Sequence, residues 1–294
     1  MIGGVGAGDV ALLCCPVCRG DVEFAGDLAD DGDLADGRLR CERCARHWPV
    51  DGGLPNLVAE GRLPAVDRGM RRVYDWIAPF HDPATRVLLP LLQGSTEDET
   101  RAGHTRRLEL GELVPGKGGT PARILEVGIG SGGNLPWLLR DLPDGLAVDL
   151  WGVDISREML RYCRERLAGD GRAATRLVLG DGHALPFLDA SFDRVYNVGG
   201  IGGYGDPGCA LAEMARVARP GTPIVVVDEQ LDPHGEHSPW YRLAYAALTS
   251  GLPSDRAPTD LLPAGAVDVV EEQVSRFYYC LTFRMPARSG RTCR

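Results

Sequence analysis

A glycine-rich turn between a predicted strand and a predicted helix constrains the fold of this chain more than any other segment. The apolar run at residues 123–127 predicts a buried strand, and a helical pattern begins at Leu135. Gly128, Gly130 and Gly132 lie between them. Glycines allow positive φ angles and let the backbone approach a ligand closely. The order of strand, glycine turn and helix is therefore typical of a nucleotide-binding loop.

Acidic residues follow this loop at places where strands are predicted to end. A second predicted strand, residues 150–153, leads into Asp154, whose carboxylate can accept hydrogen bonds from both hydroxyls of a ribose. A third predicted strand, residues 176–179, leads into Asp181. The glycine loop and Asp154 alone would also fit a protein that binds a dinucleotide. Other segments of the chain are therefore needed to distinguish a dinucleotide from another nucleoside ligand.

The motifs along residues 105–230 resemble, in their order, those of class I S-adenosylmethionine-dependent methyltransferases. They are Glu126-x-Gly-x-Gly-x-Gly, Asp154, Gly180-Asp-x-x-x-Leu-Pro-Phe, Phe192-Asp-x-Val and Arg216-Val-x-x-Pro-Gly. A dinucleotide-dependent oxidoreductase would need neither the Asp181 motif nor the Arg-Val-x-x-Pro-Gly turn. The resemblance implies an α/β fold with a Rossmann-like, seven-stranded sheet that is mostly parallel and has an antiparallel last strand. Further strands are predicted at 191–198, 223–227, 267–272 and 276–285, and a helix at 207–218.

The resemblance also implies a cofactor site for S-adenosylmethionine. Its residues would be Glu126, Gly128, Gly130, Gly132, Asp154, Ile155, Asp181, Gly182, His183 and Asn197. The glycines would hold the methionine end, Glu126 would support their loop, and Asp154 would hold the ribose. Asp181 would accept a hydrogen bond from the adenine amino group, beside the backbone of Gly182 and His183. Family members usually have alanine where this chain has Gly182, so the local backbone is expected to differ.

A helical segment precedes the first of these strands. Apolar residues recur at helical spacing after the predicted N-cap Asp67, at Met70, Val73, Tyr74 and Ile77. Residues 74–82 resemble the Tyr-Asp-x-x-Ala-x-x-Tyr-Asp segment of quinone-biosynthesis methyltransferases, which covers the cofactor. The resemblance makes Tyr74 a cofactor contact and His81 a substrate-side residue. The alternative is an amphipathic helix that only packs on the main domain.

Two C-x-x-C pairs predict a metal site near the start of the chain. Cys15 and Cys18 form the first pair, and Cys41 and Cys44 the second. Four thiolates at the corners of a tetrahedron suit Zn²⁺, and they leave no open position for water, so the zinc is expected to be structural. Buried free thiols and an iron–sulfur cluster are the alternatives. The chain has nine cysteines but no sign of an oxidising compartment, which favours metal binding over disulfides.

The segment around these cysteines resembles the zinc-ribbon heads of some methyltransferases, including the 23S rRNA guanine-N1 methyltransferases. The resemblance rests on the pattern aromatic-Pro-Val-x-x-Gly-x-Pro-x-Leu at residues 48–57. Residues 11–60 hold five arginines and ten acidic residues, a poor composition for binding RNA. Residues 26–36 repeat Gly-Asp-Leu-Ala-Asp without the spacing of a calcium-binding EF-hand loop, and predict an exposed hairpin tip.

The composition limits the possible binding partners and cellular locations. The chain has 32 basic and 41 acidic residues, a net charge of -9 that repels phosphate backbones and anionic lipids. No window reaches the ~18 uncharged apolar residues of a membrane span. We therefore expect a small-molecule substrate, no nucleic acid, no membrane and a cytoplasmic location; the oligomeric state is left open. Three parts are predicted: a zinc ribbon at 1–60, a linker and helical lid at 61–115 with helices at 87–92 and 96–113, and the methyltransferase domain at 116–294.

Methyl transfer from a sulfonium depends mainly on alignment, so a general base is needed only where the acceptor must lose a proton. His81 and His234 are the predicted candidates for that base. The glycine-rich stretch at 198–205, with Tyr204, predicts a roomy pocket for a small molecule. The expected activity is methylation of a small, quinone-like or specialised metabolite. An rRNA base methyltransferase is the alternative, and a binding module without catalysis is a third hypothesis.

Overall fold

The computed structural model describes residues 4–93, 103, 105–169, 175–249 and 256–287, and within them the side chains of residues 80–93 are not described. The smaller sheet contains β1 Val22–Leu28, β2 Leu34–Cys41, β3 His47–Asp51 and β4 Leu54–Pro55. The larger sheet contains β5 Ala122–Val127, β6 Val148–Asp154, β7 Thr175–Leu179, β8 Arg194–Val198, β9 Ile224–Glu229, β10 Val267–Gln273 and β11 Tyr278–Arg284. The helices are α1 Ala65–Gln93, α2 Leu135–Asp141, α3 Arg157–Gly169, α4 Pro207–Val217 and α5 Pro239–Leu248.

The larger sheet has the strand order β10-β11-β9-β8-β5-β6-β7. Strands β5 to β9 are parallel, and β11 lies antiparallel between β9 and β10. The inner strands are almost continuously buried, as expected of strands covered on both faces. The predicted seven-stranded, mostly parallel sheet with an antiparallel last strand is thus confirmed.

The helical segment before this sheet differs from its prediction. Helix α1 begins at Ala65, so Asp67 lies in its first turn and is not the N-cap. The Asp67 carboxylate instead accepts a hydrogen bond from the Gly205 N–H, 3.2 Å away. Helix α1 also continues to Gln93 and includes the separate helix predicted at 87–92. An acidic residue near a helix start is therefore used here to bind another loop.

The helix predicted at 96–113 is shorter in its described part. Residues 105–107 are helical, but Glu109 has a left-handed backbone with φ 49°. The buried Arg194 guanidinium donates to the carbonyls of Leu108 and Glu109, which fixes the chain in this non-helical turn. Residues 94–102 and 104 lie outside the described residues.

The small sheet is joined to the edge of the large one. After β4, Asn56 pairs in parallel with Leu179 of β7, and the Leu57 N–H donates to the Leu179 carbonyl at 2.8 Å. Because β7 is the last strand of the large sheet, the small sheet covers an edge that would otherwise be open. Leu13 and Phe187 form a second bridge, and both belong to one hydrophobic cluster shared by the two sheets.

The predicted exposed tip at residues 26–36 is the turn between β1 and β2, whose residues 29–33 are mostly exposed. The three-part division at residues 60 and 115 stays a prediction. Among the described residues, no helix combines the length and the apolar character needed to cross a membrane.

Candidate functional site

The four cysteines of the C-x-x-C pairs lie together. Their Sγ atoms are all within 4.8 Å of one another, with Cys15 and Cys44 3.7 Å apart and Cys18 and Cys41 3.4 Å apart. Ligands at the ~2.3 Å Zn–S distance of a tetrahedral site would be about 3.8 Å apart. The cluster therefore fits a tetrahedral metal ion held by sulfur.

The two cysteine turns have the same backbone. In the first, the Arg19 N–H donates to the Cys15 carbonyl; in the second, the Ala45 N–H donates to the Cys41 carbonyl. Arg19 and Ala45 both have left-handed backbones, with φ 58° and 57°. Backbone hydrogen bonding by Arg46 lowers the pKa of the Cys44 thiol to about 6. The lowered pKa favours the thiolate form of Cys44, the form that metals bind, whereas burial raises the pKa of Cys15 to about 12.

The predicted glycine loop follows β5 directly. Gly128 has φ 71°, and a Cβ there would lie 3.1 Å from the Asn197 amide nitrogen. Glu126, 1% exposed, accepts hydrogen bonds from Asn134 at 2.6 Å and from the Tyr196 hydroxyl at 2.7 Å. Asn134 lies at the end of the loop where α2 begins. Glu126 therefore contacts the end of the loop through Asn134.

Asp154, the last residue of β6, is bonded to that loop. One carboxylate oxygen accepts from the Gly130 N–H and the other from the Ser156 N–H, both at 2.8 Å. Burial raises the pKa of Asp154 to about 6, although these two N–H groups act to lower it. The Ser156 hydroxyl donates to Asp75 of α1 at 2.5 Å. Asp154 thus lies between the glycine loop and α1.

Asp181 and His183 form a second polar group, after β7. Asp181 accepts from the His183 backbone N–H at 2.9 Å and lies 2.7 Å from its ring Nδ1. The Asp206 N–H donates to the ring Nε2, so we assign the ring proton to Nδ1, which donates to Asp181. Burial lowers the pKa of His183, but the charges of Asp181, Asp67 and Asp206 outweigh it and the net shift is upward.

Tyr204 packs onto this loop. Its ring lies 5.1 Å from that of His183, and a Cβ at Gly182 would lie 2.7 Å from the Tyr204 ring atom Cε2. Alanine, the usual family residue, therefore has no room at position 182. Burial and the charges of Asp154 and Asp181 raise the pKa of the Tyr204 hydroxyl.

Asn197 at the end of β8 is fully buried and joins two elements. Its Nδ2 donates to the Val127 carbonyl at 2.6 Å, and its Oδ1 accepts from the Ile201 N–H at 3.1 Å. It therefore fixes the glycine-rich turn after β8 against the end of β5. Ile155, also predicted, is partly buried against the second hydrophobic cluster.

Helix α1 covers the carboxyl ends of these strands. Burial and the charges of Glu229, Asp228 and Asp154 raise the pKa of Tyr74. The neighbouring residue Asp75 accepts a hydrogen bond from the Ser156 hydroxyl, which follows β6. Asp67 is 4% exposed; its Oδ2 has no hydrogen-bond partner among the described residues. The structure thus brings Tyr74 to the same edge as the predicted cofactor residues.

Of the two histidines predicted as bases, the structure describes the side chain of His234. His81 lies outside the described side chains. His234 is exposed, and its described hydrogen bond is local, from its backbone N–H to Asp232 at 2.9 Å. The loop after β9 turns back on itself through Asp232, which leaves the His234 side chain at the surface. The part of His234 as a base stays a prediction.

Three polar residues that were not predicted from the sequence lie at the end of β9 and beside it: Asp228, Glu229 and Tyr278. Asp228 is 2% exposed, and Glu229 accepts from the Tyr278 hydroxyl at 3.2 Å. The signal was present, because two acids directly follow the buried run Val225–Val227 at a strand end.

Known proteins resemble this chain in sequence. Residues 124–221 match the family model described as a methyltransferase domain. The demethylmenaquinone methyltransferase of Renibacterium salmoninarum is 30% identical over 200 residues, which make up 68% of this chain and 73% of that protein. The chain belongs to the S-adenosylmethionine-dependent methyltransferase family. Residues 10–53 of this methyltransferase match a second model, described as Trm112p-like protein.

Other relatives of this methyltransferase align over shorter stretches. The demethylmenaquinone methyltransferase of Roseiflexus castenholzii is 40% identical over 36% of this chain and 42% of that protein. The fatty-acid O-methyltransferase of Mycolicibacterium smegmatis is 35% identical over 43% of each chain. The methyltransferase described here thus spans less than half the length of these two relatives.

Solved structures share the fold of this methyltransferase. The [4+2]-cyclase SpnF has a TM-score of 0.53 and 18% identity, over 76% of this chain and 97% of its own. Haemonchus contortus phosphoethanolamine N-methyltransferase 2, in complex with S-adenosylmethionine, has a TM-score of 0.51 and 15% identity, over 66% of this chain and 54% of its own. At these identities the likeness shows the fold alone.

Proposed function

We propose that this protein transfers the methyl group of S-adenosylmethionine to a small hydroxylated acceptor of the quinol type. The observation that carries the proposal is the grouping of the glycine loop, Asp154 and Asn197 at the carboxyl ends of three parallel strands. The Gly130 N–H donates to Asp154, and Asn197 donates to the Val127 carbonyl. Ligands of such sheets bind beyond the carboxyl ends of the parallel strands.

The described residues fit S-adenosylmethionine. The space left by the missing Cβ of Gly128 gives a cradle next to Asn197. The acids Asp154, Asp181 and Glu229 make the site negative, which suits a sulfonium cation. When bound, the cofactor supplies an electrophilic methyl group.

We assign the residues of this chain to that cofactor as the family resemblance implies. Gly128, Gly130 and Gly132 hold the methionine end, supported by Glu126. Asp154 accepts from the ribose hydroxyls, next to Ile155. The remaining contacts are assigned to Asp181 for the adenine amino group, Gly182 and His183 beside it, and Asn197 and Tyr74 near the methyl group.

The acceptor class rests on two supports. The relatives described above are named as methyltransferases of demethylmenaquinone and of fatty acids, which are both largely apolar molecules. Two tyrosines outside the assigned cofactor residues, Tyr204 and Tyr278, offer aromatic surface with a polar tip. Such a lining suits a flat aromatic acceptor with a hydroxyl group.

The zinc site is proposed as structural. Cys15, Cys18, Cys41 and Cys44 supply four sulfur ligands, so no ligand position is open for catalysis. The rRNA alternative gains no support, since the outer turn of the ribbon between β1 and β2 is acidic and exposed. A binding module without catalysis has no observation in its favour.

Because the cyclase SpnF shares this fold, the activity needs a direct test. We expect calorimetry to show binding of S-adenosylhomocysteine to the purified protein. We also expect label transfer from methyl-labelled S-adenosylmethionine to a 2-prenyl-1,4-naphthoquinone kept reduced by borohydride, and none to ribosomal RNA. Cofactor binding without transfer to reduced naphthoquinones, fatty acids or simple phenols would remove the proposed activity and leave the fold assignment intact.

A further inference from the structure

Helix α1 contributes a buried aspartate to the polar group around His183. The side chain of Asp67 is 5% exposed. Its Oδ1 accepts a hydrogen bond from the Gly205 N–H at 3.2 Å. A Cβ at Gly205 would lie 2.7 Å from its Oδ2, so the carboxylate lies close against the backbone of that residue. Asp67 therefore holds the start of α1 against the turn that follows β8.

The second oxygen of Asp67 is not used in the same way. Its Oδ2 is buried and has no hydrogen-bond partner among the described residues. The ring Nδ1 of His183 is 3.9 Å from Oδ1, which is too far for a hydrogen bond. Buried polar atoms in proteins rarely lack a partner, because leaving water without a new hydrogen bond is costly. The Oδ2 atom therefore indicates a donor that comes from a ligand.

Asp181 approaches the same imidazole from the loop after β7. Its Oδ1 accepts from the His183 N–H at 2.9 Å and lies 2.7 Å from the ring Nδ1. Within the described part of the chain, no group donates to Asp181 Oδ2. Asp67 and Asp181 thus lie beside the same ring nitrogen, and each has one carboxylate oxygen that accepts no hydrogen bond from these residues.

Two neighbouring carboxylates are best satisfied by a ligand group that only donates. The amino group of adenine is such a group, since its nitrogen carries two hydrogens and donates both. Asp181 is already assigned to this amino group, and it takes one of the two N–H bonds. The other N–H points away from Asp181 and needs a second acceptor.

We propose that Asp67 Oδ2 accepts the second N–H of the adenine amino group, so that α1 and the loop after β7 hold the group from two sides. This inference rests on the cofactor assignment made in the proposed function. It makes Asp67 a specificity-determining residue. A base with an oxygen in place of the amino group presents an acceptor to two carboxylates, which leaves them unpaired and repels the ligand.

The test is calorimetry on the full chain, loaded with zinc, with S-adenosylhomocysteine and with S-inosylhomocysteine, in which an oxygen replaces the amino group. Wild type should prefer the first by more than about 100-fold. Asp67→Asn keeps an oxygen for the Gly205 N–H and puts an N–H donor in place of Oδ2. It should lower the affinity for S-adenosylhomocysteine by about 10- to 100-fold. Its affinity for S-inosylhomocysteine should stay within about threefold or rise, because the new amide donates to the oxygen of that base.

The matched control is Asp144→Asn, at an exposed aspartate, which should keep the wild-type preference. A third ligand separates recognition from anchoring. N6-methyl-S-adenosylhomocysteine has one N–H left, so wild type should bind it at least about tenfold more weakly than the parent compound. Asp67→Ala should bind these two compounds with similar affinity, because removal of the carboxylate makes room for the methyl group.

A purely structural part for Asp67 gives a different result. If Asp67→Asn weakens the binding of both nucleosides equally, or of neither, Asp67 only anchors the turn after β8; the inference is then overturned while the proposed function stands. Wild-type protein that binds the N6-methyl compound as tightly as the parent overturns it as well. Wild-type protein that binds none of the three removes the cofactor assignment, and with it both the proposed function and the inference.

Discussion

The ring of Tyr204 lies against the backbone of Gly182 so closely that a Cβ there would be 2.7 Å from Cε2 and 2.8 Å from the hydroxyl oxygen. The two residues are on different loops, one after β7 and one after β8. The glycine is therefore coupled to the tyrosine: a chain with Tyr204 in this position needs Gly182.

Gly182→Ala should weaken binding of S-adenosylhomocysteine by about 5- to 100-fold, since overpacking costs about 1–3 kcal/mol and here displaces the Asp181 loop. The double variant Gly182→Ala/Tyr204→Ala should recover part of that loss. Calorimetry measures both. Gly61→Ala, which meets no atom within 4 Å, is the control. Equal binding by Gly182→Ala and the wild type would show that the loop has room to adjust.

Asp154→Asn should weaken cofactor binding by about 10- to 100-fold, because a charged hydrogen-bond acceptor is worth about 1.5–3 kcal/mol. With a pKa of about 6, Asp154 loses its proton as the pH rises through that value. Wild-type affinity should therefore rise across pH 6, and the variant should lack this step. The raised pKa also means that the free protein loses stability as the pH rises from the unfolded value near 3.8 to about 6. A wild-type affinity that is flat across pH 6 would contradict the assignment.

His183 should make stability depend on pH. Its folded pKa is raised above the ordinary 6.5, so its contribution is fully present below 6.5 and is lost as the pH rises through the folded value. Urea unfolding of His183→Gln at several pH values should show a smaller decline over that window. His234→Gln, at an exposed histidine, should retain the wild-type decline. Identical curves for His183→Gln and wild type would show that the Asp181 contact adds no stability.

Cys41→Ser should lower the zinc content well below one ion per chain and the free energy of unfolding by at least about 3 kcal/mol, roughly 10 °C in Tm. It should also weaken cofactor binding. The segment before Cys15 is hydrogen-bonded to the loop after Asp181. The Cys14 N–H donates to the Pro186 carbonyl and the Leu188 N–H donates to the Leu12 carbonyl, both at 3.0 Å. Cys209→Ser, at a cysteine outside the cluster, is the control. Full zinc content in Cys41→Ser would refute the four-sulfur site.

The strand core of the fold could be predicted from the sequence because its signals are local. Apolar runs ending in Asp154, or leading into Asp181, are read within a few residues, and the described strands begin and end close to the predicted positions. The spacing within each C-x-x-C pair is likewise visible directly in the sequence. Each of these features is fixed by neighbours along the chain.

Contacts across the sheet could not be predicted in this way. Glu229 meets Tyr278 only through the register of β9 and β11, and Tyr204 meets Gly182 only because two loops end at one edge. Asp67 looked like a helix cap because sequence shows the helix start but not the Gly205 N–H that binds it. Such contacts depend on residues that are far apart along the chain.

The pairing of Asn56 with Leu179 has a consequence for how this protein behaves in concentrated solution. A chain that starts at α1 would present the backbone of β7 to other molecules, and two such chains would be free to pair through this strand. The N-terminal segment therefore also keeps one copy of the molecule from joining the next.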